Sequence, residues 1–167
     1  MSASADTLIG SFAITDMLIP LVLNDLSEDD ARFRARGEEG PSILWTVGHL
    51  LHSRCWVLGT LGTKRDNPWS EHFGMTPATD GADYPSISET LNAWEELRVE
   101  LVRVLSDATE EELATTPEKG WHEGQTVRDQ VTFFGWHEGY HVGVIGALRK
   151  ELGYKAPSEK IMEARQG

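Results

Sequence analysis

Two histidines four residues apart, in His137-Glu138-Gly139-Tyr140-His141, are the residues of this chain best suited to chemistry. They lie in a stretch from Thr126 to Leu152 with helical periodicity. On a helix such a pair has Cβ atoms roughly 5–6 Å apart, so both imidazoles can reach one metal ion. A third ligand is then needed. His49, in Trp45-Thr46-Val47-Gly48-His49-Leu50-Leu51, is the best candidate, and His52, one turn on, competes with it. Three neutral imidazoles leave a position open on a tetrahedral metal, which is the arrangement of a catalytic site rather than a structural one. The plainer alternative is a pair of core histidines satisfied by ordinary hydrogen bonds. His72 and His122 fall in loops and read as surface residues.

Such ligands need rigid elements to hold them. Four long helical segments are predicted: about Ala5 to Leu26 with Pro20 as a kink, Pro41 to Gly62, Ser88 to Leu105, and Thr126 to Gly153. Ser27-Glu28-Asp29-Asp30 and Thr109-Glu110-Glu111-Glu112 offer caps for short helices. No segment alternates with period two, so the chain reads as all-α, most simply a four-helix bundle. One domain covers residues 1–167, of which about 154–167 is a polar C-terminal tail. A long connection, residues 63–86, joins the second and third long helices, and such a crossover lets consecutive helices run parallel. Trp69, His72, Phe73 and Met75 are suited to pin it down as a satellite cluster; a substrate lid is the alternative.

On a helical wheel His137 and His141 share a face with Gln130, Phe133, Phe134, Val144, Ile145 and Leu148, the apolar stripe that faces a bundle interior. His49 shares its face with Trp45, Ser53, Trp56 and Thr60, which suits a polar cavity or a partly exposed surface. Gly135, Gly139, Gly143 and Gly146 form a stripe on the far side, where a neighbouring helix or a second subunit could approach closely.

Glu138 is the nearest candidate general base; otherwise it is a solvated carboxylate on the helix flank. The string His-Glu-x-x-His also matches the metallopeptidase motif. That reading is the weakest, because no later histidine completes a metzincin pattern and no strand is present to hold a peptide. Cys55 is better read as an inert, buried thiol than as a nucleophile.

Composition narrows the classes further. Lys and Arg number 15 against 27 Asp and Glu, a net charge of −12, which argues against nucleic acid as a partner. The single cysteine excludes an internal disulfide and fits the cytoplasm. The first apolar run, Phe12 to Leu23, is broken by Asp16 and Pro20 and is too short to span a bilayer, so no membrane partner is expected.

Taken together, Ser42-Ile43-Leu44-Trp45-Thr46-Val47-Gly48-His49-Leu50-Leu51, Thr126-Val127-Arg128-Asp129 and His137-Glu138-Gly139-Tyr140-His141-Val142-Gly143 give the chain a resemblance to the DinB-like (DinB/YfiT) superfamily. One departure is Val144, where the family often has Gln. The resemblance implies a four-helix bundle of up-down-down-up topology. It implies a three-histidine site, here His49, His137 and His141, for nickel, zinc or another divalent ion. It further implies a homodimer, as many relatives form. Some relatives are thiol-dependent enzymes, mycothiol-dependent maleylpyruvate isomerases and bacillithiol transferases, so a low-molecular-weight thiol is an expected co-reactant.

The function expected is therefore that of a divalent-metal-dependent enzyme acting on a small molecule, either a hydrolase or a thiol-dependent transferase or isomerase. A non-catalytic module that binds a metal or small ligand is the alternative from a different class.

Overall fold

The computed structural model describes residues 3–37, 40–74, 84–118 and 123–165. Its helices begin where side chains can take up the free backbone N–H groups. Ser42 Oγ accepts from Trp45 N–H at the start of α3, Ile43–Thr60. Ser86 with Glu89 and Thr126 with Asp129 form reciprocal capping boxes at the starts of α5, Ile87–Asp107, and α7, Val127–Glu151. Thr109 with Glu112 does the same for the short α6, Glu110–Ala114, and Ser27 caps the short α2, Glu28–Arg32. The first helix, α1, is Ala3–Leu23, with Pro20 inside its last turn. Among the described residues there is no strand.

The four long helices are α1, α3, α5 and α7, and they make a four-helix bundle. α1 and α3 each pack against both α5 and α7. Contacts along the pairs fix the directions. Leu51 and Cys55 of α3 lie by Ala93 and Leu97 of α5, and Thr60 lies by Val104, so α3 and α5 are parallel. Ser11, Thr15 and Val22 of α1 meet Gly135, Glu138 and Arg149 of α7 in ascending order, so these two are also parallel. His49 meets His137 while Trp56 meets Phe134, so α3 and α7 are antiparallel. The topology is up-down-down-up.

The crossover carries a further short helix, α4, Ser70–Phe73. Phe73 is fully buried in a second apolar cluster with Ala31, Leu44 and Tyr84, and Trp69 packs against it. The connection is thus pinned to the bundle at this point; Met75 lies outside the described residues.

Two sequence expectations change. The C-terminal segment is not simply a polar tail: Pro157–Ala164 forms α8, which packs on α1. It is clasped from below by Arg149, whose fully buried guanidinium donates to Val22 O at 2.5 Å, to Asp25 at 2.8 Å and to Lys155 O at 2.7 Å. The N-terminal apolar stretch is also longer than Phe12 to Leu23. By length and composition α1 could cross a membrane. Here its Leu8, Phe12, Ile19 and Leu23 lie in the bundle core.

The glycine stripe splits. A Cβ on Gly135 would come within 2.5 Å of Ser11 Oγ, and one on Gly146 within 3.1 Å of Pro157 Cδ. These two glycines admit α1 and α8. Gly139 and Gly143 face nothing within 4 Å.

Candidate metal centre

α3 and α7 bring His49, His137 and His141 together. His137 Nε2 lies 3.3 Å from His49 Nε2 and 3.1 Å from His141 Nε2. The three rings form the one cluster of possible metal-ligating side chains found among the described residues. All three are half-buried.

His49 is oriented from behind. Its Nδ1 is 3.0 Å from the Phe73 carbonyl, an acceptor only, so Nδ1 carries the proton and donates. In the neutral ring Nε2 then keeps its lone pair, and it faces the other two rings. The indole of Trp45 stacks on the imidazole at 5.2 Å with planes 5° apart, and its Nε1 donates to His72 O at 3.0 Å. Gly48 makes this possible: a Cβ there would stand 2.5 Å from the Phe73 ring. The crossover thus reaches the centre through a notch cut by a glycine next to a candidate ligand.

His137 lies between Phe133 and Phe134, with ring centroids at 6.0 and 5.6 Å. Its Nδ1 is buried and has no protein partner. Burial, and next the neighbouring His49, pull the His137 pKa down to about 4. Burial and the two other histidines pull His141 down to about 3. Both rings are therefore neutral at pH 7, the form that ligates a metal.

The other histidines stand elsewhere. His52 does not join the trio; burial first, then His49, lowers its pKa. His72 sits in α4 against Tyr84, not on an open loop. His122 is outside the described residues.

Glu138 is neither a solvated flank residue nor free to act as a base. It is 1% exposed, and both its oxygens are occupied. Arg54 grips them with Nε at 2.7 Å and Nη2 at 2.9 Å, and Thr15 Oγ1 donates to Oε2. Arg54 also donates to Asp16 at 2.7 Å and lies 3.8 Å over the ring of Trp94. Residues of all four long helices meet at this guanidinium. The wheel placed Glu138 close to His141 but could not supply a partner from another helix. The available signal was three charges, Asp16, Arg54 and Glu138, each set within an apolar helical segment.

The pattern of the DinB superfamily matches residues 13–145, and the chain belongs to that superfamily. Its fold is similar to that of a DinB-like protein from Bacillus cereus ATCC 10987, at 14% identity and a TM-score of 0.70 over 91% of this chain and 95% of that one. It is also similar to YfiT from Bacillus subtilis, described as a probable metal-dependent hydrolase with an unusual four-helix bundle topology. There the identity is 16% and the TM-score 0.66, over 93% of this chain and 91% of YfiT. A comparison with curated proteins gave no match.

Proposed function

We propose that the chain is a divalent-metal-dependent enzyme whose ion is held by His49, His137 and His141. The observation that carries this is the spacing of the Nε2 atoms, 3.1 and 3.3 Å. Two nitrogens bonded to one tetrahedral ion at about 2.0–2.1 Å lie about 3.3 Å apart. Neutral rings and the proton fixed on His49 Nδ1 suit the same purpose. An all-imidazole donor set suits nickel and zinc, as it does copper and iron. Such an ion supplies Lewis acidity and an open position at which water or a thiol becomes nucleophilic at neutral pH.

The chain's own residues orient and shield. The Phe73 carbonyl and Trp45 hold His49, and the phenyl rings of Phe133 and Phe134 keep bulk water from one side of His137. The description of YfiT as a probable metal-dependent hydrolase supports hydrolysis as the reaction class. A second reading, a thiol-dependent transferase or isomerase, suits the same three rings, and with Glu138 held by Arg54 neither reaction would draw on that carboxylate. A bound ion would acidify a thiol or a water alike, and no carboxylate joins the three rings among the described residues. The peptidase reading loses its general base for the same reason.

The test is metal analysis of the purified protein, followed by turnover assays with a panel of esters, amides and electrophiles, each with and without low-molecular-weight thiols. Thiol-independent turnover means a hydrolase, and thiol-dependent turnover a transferase or isomerase. Stoichiometric metal without turnover means a binding module. Absence of metal uptake at neutral pH would sink the proposal.

A further inference from the structure

A cavity of about 630 Å³ opens on the same side of α3 as His49. That is within the range of small-molecule sites, roughly 300–1,000 Å³. His52, Trp56, Gly59 and Thr60 line it from α3, and Arg65 and Asn67 from the crossover. His52 is the next residue after His49 on that helix face. Trp56 continues the wall, with its ring 5.0 Å from Phe134, which in turn touches His137. The cavity is thus joined to the three-histidine cluster by one turn of helix and one aromatic contact.

We propose that this cavity seats the organic body of the substrate, a flat apolar molecule carrying one anionic group. That the molecule is the metal centre's substrate rests on the function proposed above; the cavity and its ligand class do not. Trp56 offers a flat apolar wall. Cys55 adds a neutral one, since burial pushes its thiol up to about 11. Gly59 is a poor helix former, and a Cβ there would meet nothing within 4 Å. Among the described residues lining the cavity Arg65 is the one cation, and Asp66, an exposed acid 3.7 Å from Lys64, is the one carboxylate. Arg65 pairs with Glu96 at 2.6 Å and Glu100 at 3.7 Å, with the Glu96 side chain 65% exposed. The exposed Glu96 pair contributes little, while Glu100, its side chain 24% exposed, stays at longer range. A planar carboxylate or sulfonate can take the guanidinium in a bidentate grip.

The test uses 8-anilinonaphthalene-1-sulfonate and its uncharged relative N-phenyl-1-naphthylamine, titrated into the folded protein and followed by dye fluorescence. The sulfonate is expected to bind saturably, one per chain, and several-fold more tightly than the neutral dye. Arg65→Gln is expected to weaken the sulfonate several-fold and leave the neutral dye unchanged. Gly59→Leu, which projects into the cavity, is expected to abolish binding of both while metal content stays at the wild-type level. Wild-type affinity for the sulfonate in both variants would overturn the proposal. If Gly59→Leu fails to fold, Arg65→Gln still decides: an unchanged preference for the sulfonate removes the anion site.

Copper(II) loaded on the protein tests the connection to the centre, because a paramagnetic ion quenches a dye only at short range. Bound dye is expected to be quenched in the wild type and not in His49→Ala. Bright dye on copper-loaded wild type would separate the cavity from the centre. Failure to take up copper would instead sink the metal reading, and the dye titrations would still decide the cavity.

Discussion

Both ring nitrogens of His49 are assigned, one to the Phe73 carbonyl and one to the cluster, and that makes it the residue on which the centre turns. His49→Ala, or His137→Ala or His141→Ala, should reduce metal content from about one ion per chain towards none by elemental analysis, whereas His72→Ala should retain it. Acid should act through His137 and His141. Their pKa values in the fold, about 4 and about 3, lie below the ordinary 6.5. The unfolded chain therefore binds more protons as pH falls below about 6.5, and the metal-free fold loses stability from there down to about pH 3. Melting temperature of the metal-free protein should be insensitive to these two rings above pH 7 and fall steadily below pH 6; a flat profile from pH 7 to 4 would contradict the assigned burial. Glu138 belongs to the core. Glu138→Ala strands the Arg54 charge in an apolar interior and should cost about 3–5 kcal/mol by denaturant titration. At this scale the sequence showed the trio well, because a four-residue spacing is a local property and His49 lies in a recognisable motif. It misplaced Glu138 because the partner that claims it comes from α3, and a wheel describes one helix at a time.

The long helices were visible in the sequence to within a few residues, since their signals are local: hydroxyl caps with an acid three residues on, apolar residues at helical spacing, and glycine past the end. Gly62 and Gly153 take φ of +81° and +82° just beyond α3 and α7, a backbone shape that favours glycine at a helix end. α8 was missed for an equally physical reason. It is short, and most of its residues stay in water; Pro157, packed by Gly146, and the Lys150–Glu159 and Lys160–Asp25 pairs hold it, and these partners lie on other elements. α4 was missed likewise; one buried ring, Phe73, anchors it. That anchoring carries a prediction. Gly48→Ala should push Phe73 out of its notch and move its carbonyl off His49 Nδ1. Loss of such an outer hydrogen bond lowers metal affinity by about 10–100-fold. Calorimetric titration with zinc or nickel would show this, with circular dichroism confirming that the bundle is retained; undiminished affinity would mean that α4 does not orient His49.

For the whole molecule, a homodimer is the expected assembly. Trp136 and Tyr140 are stacked on each other on the outer side of α7, 64% and 58% exposed, beside the open Gly139 and Gly143. Light scattering at micromolar concentration should give twice the 18.6 kDa chain mass, and Trp136→Lys should halve it; a monomer in the wild type would leave that face without this partner. The up-down-down-up order has one further consequence, which concerns time rather than shape. The two sides of the centre are far apart along the chain, with 88 residues from His49 to His137. At about 5–20 residues per second, synthesis leaves roughly 4–18 s between the two. Throughout that interval the nascent chain carries His49 without His137 and His141, the two rings that the fold gathers beside it. The proposed three-histidine centre therefore comes into being only once α7 has been made and docked, so an ion held there would be one offered to a finished bundle.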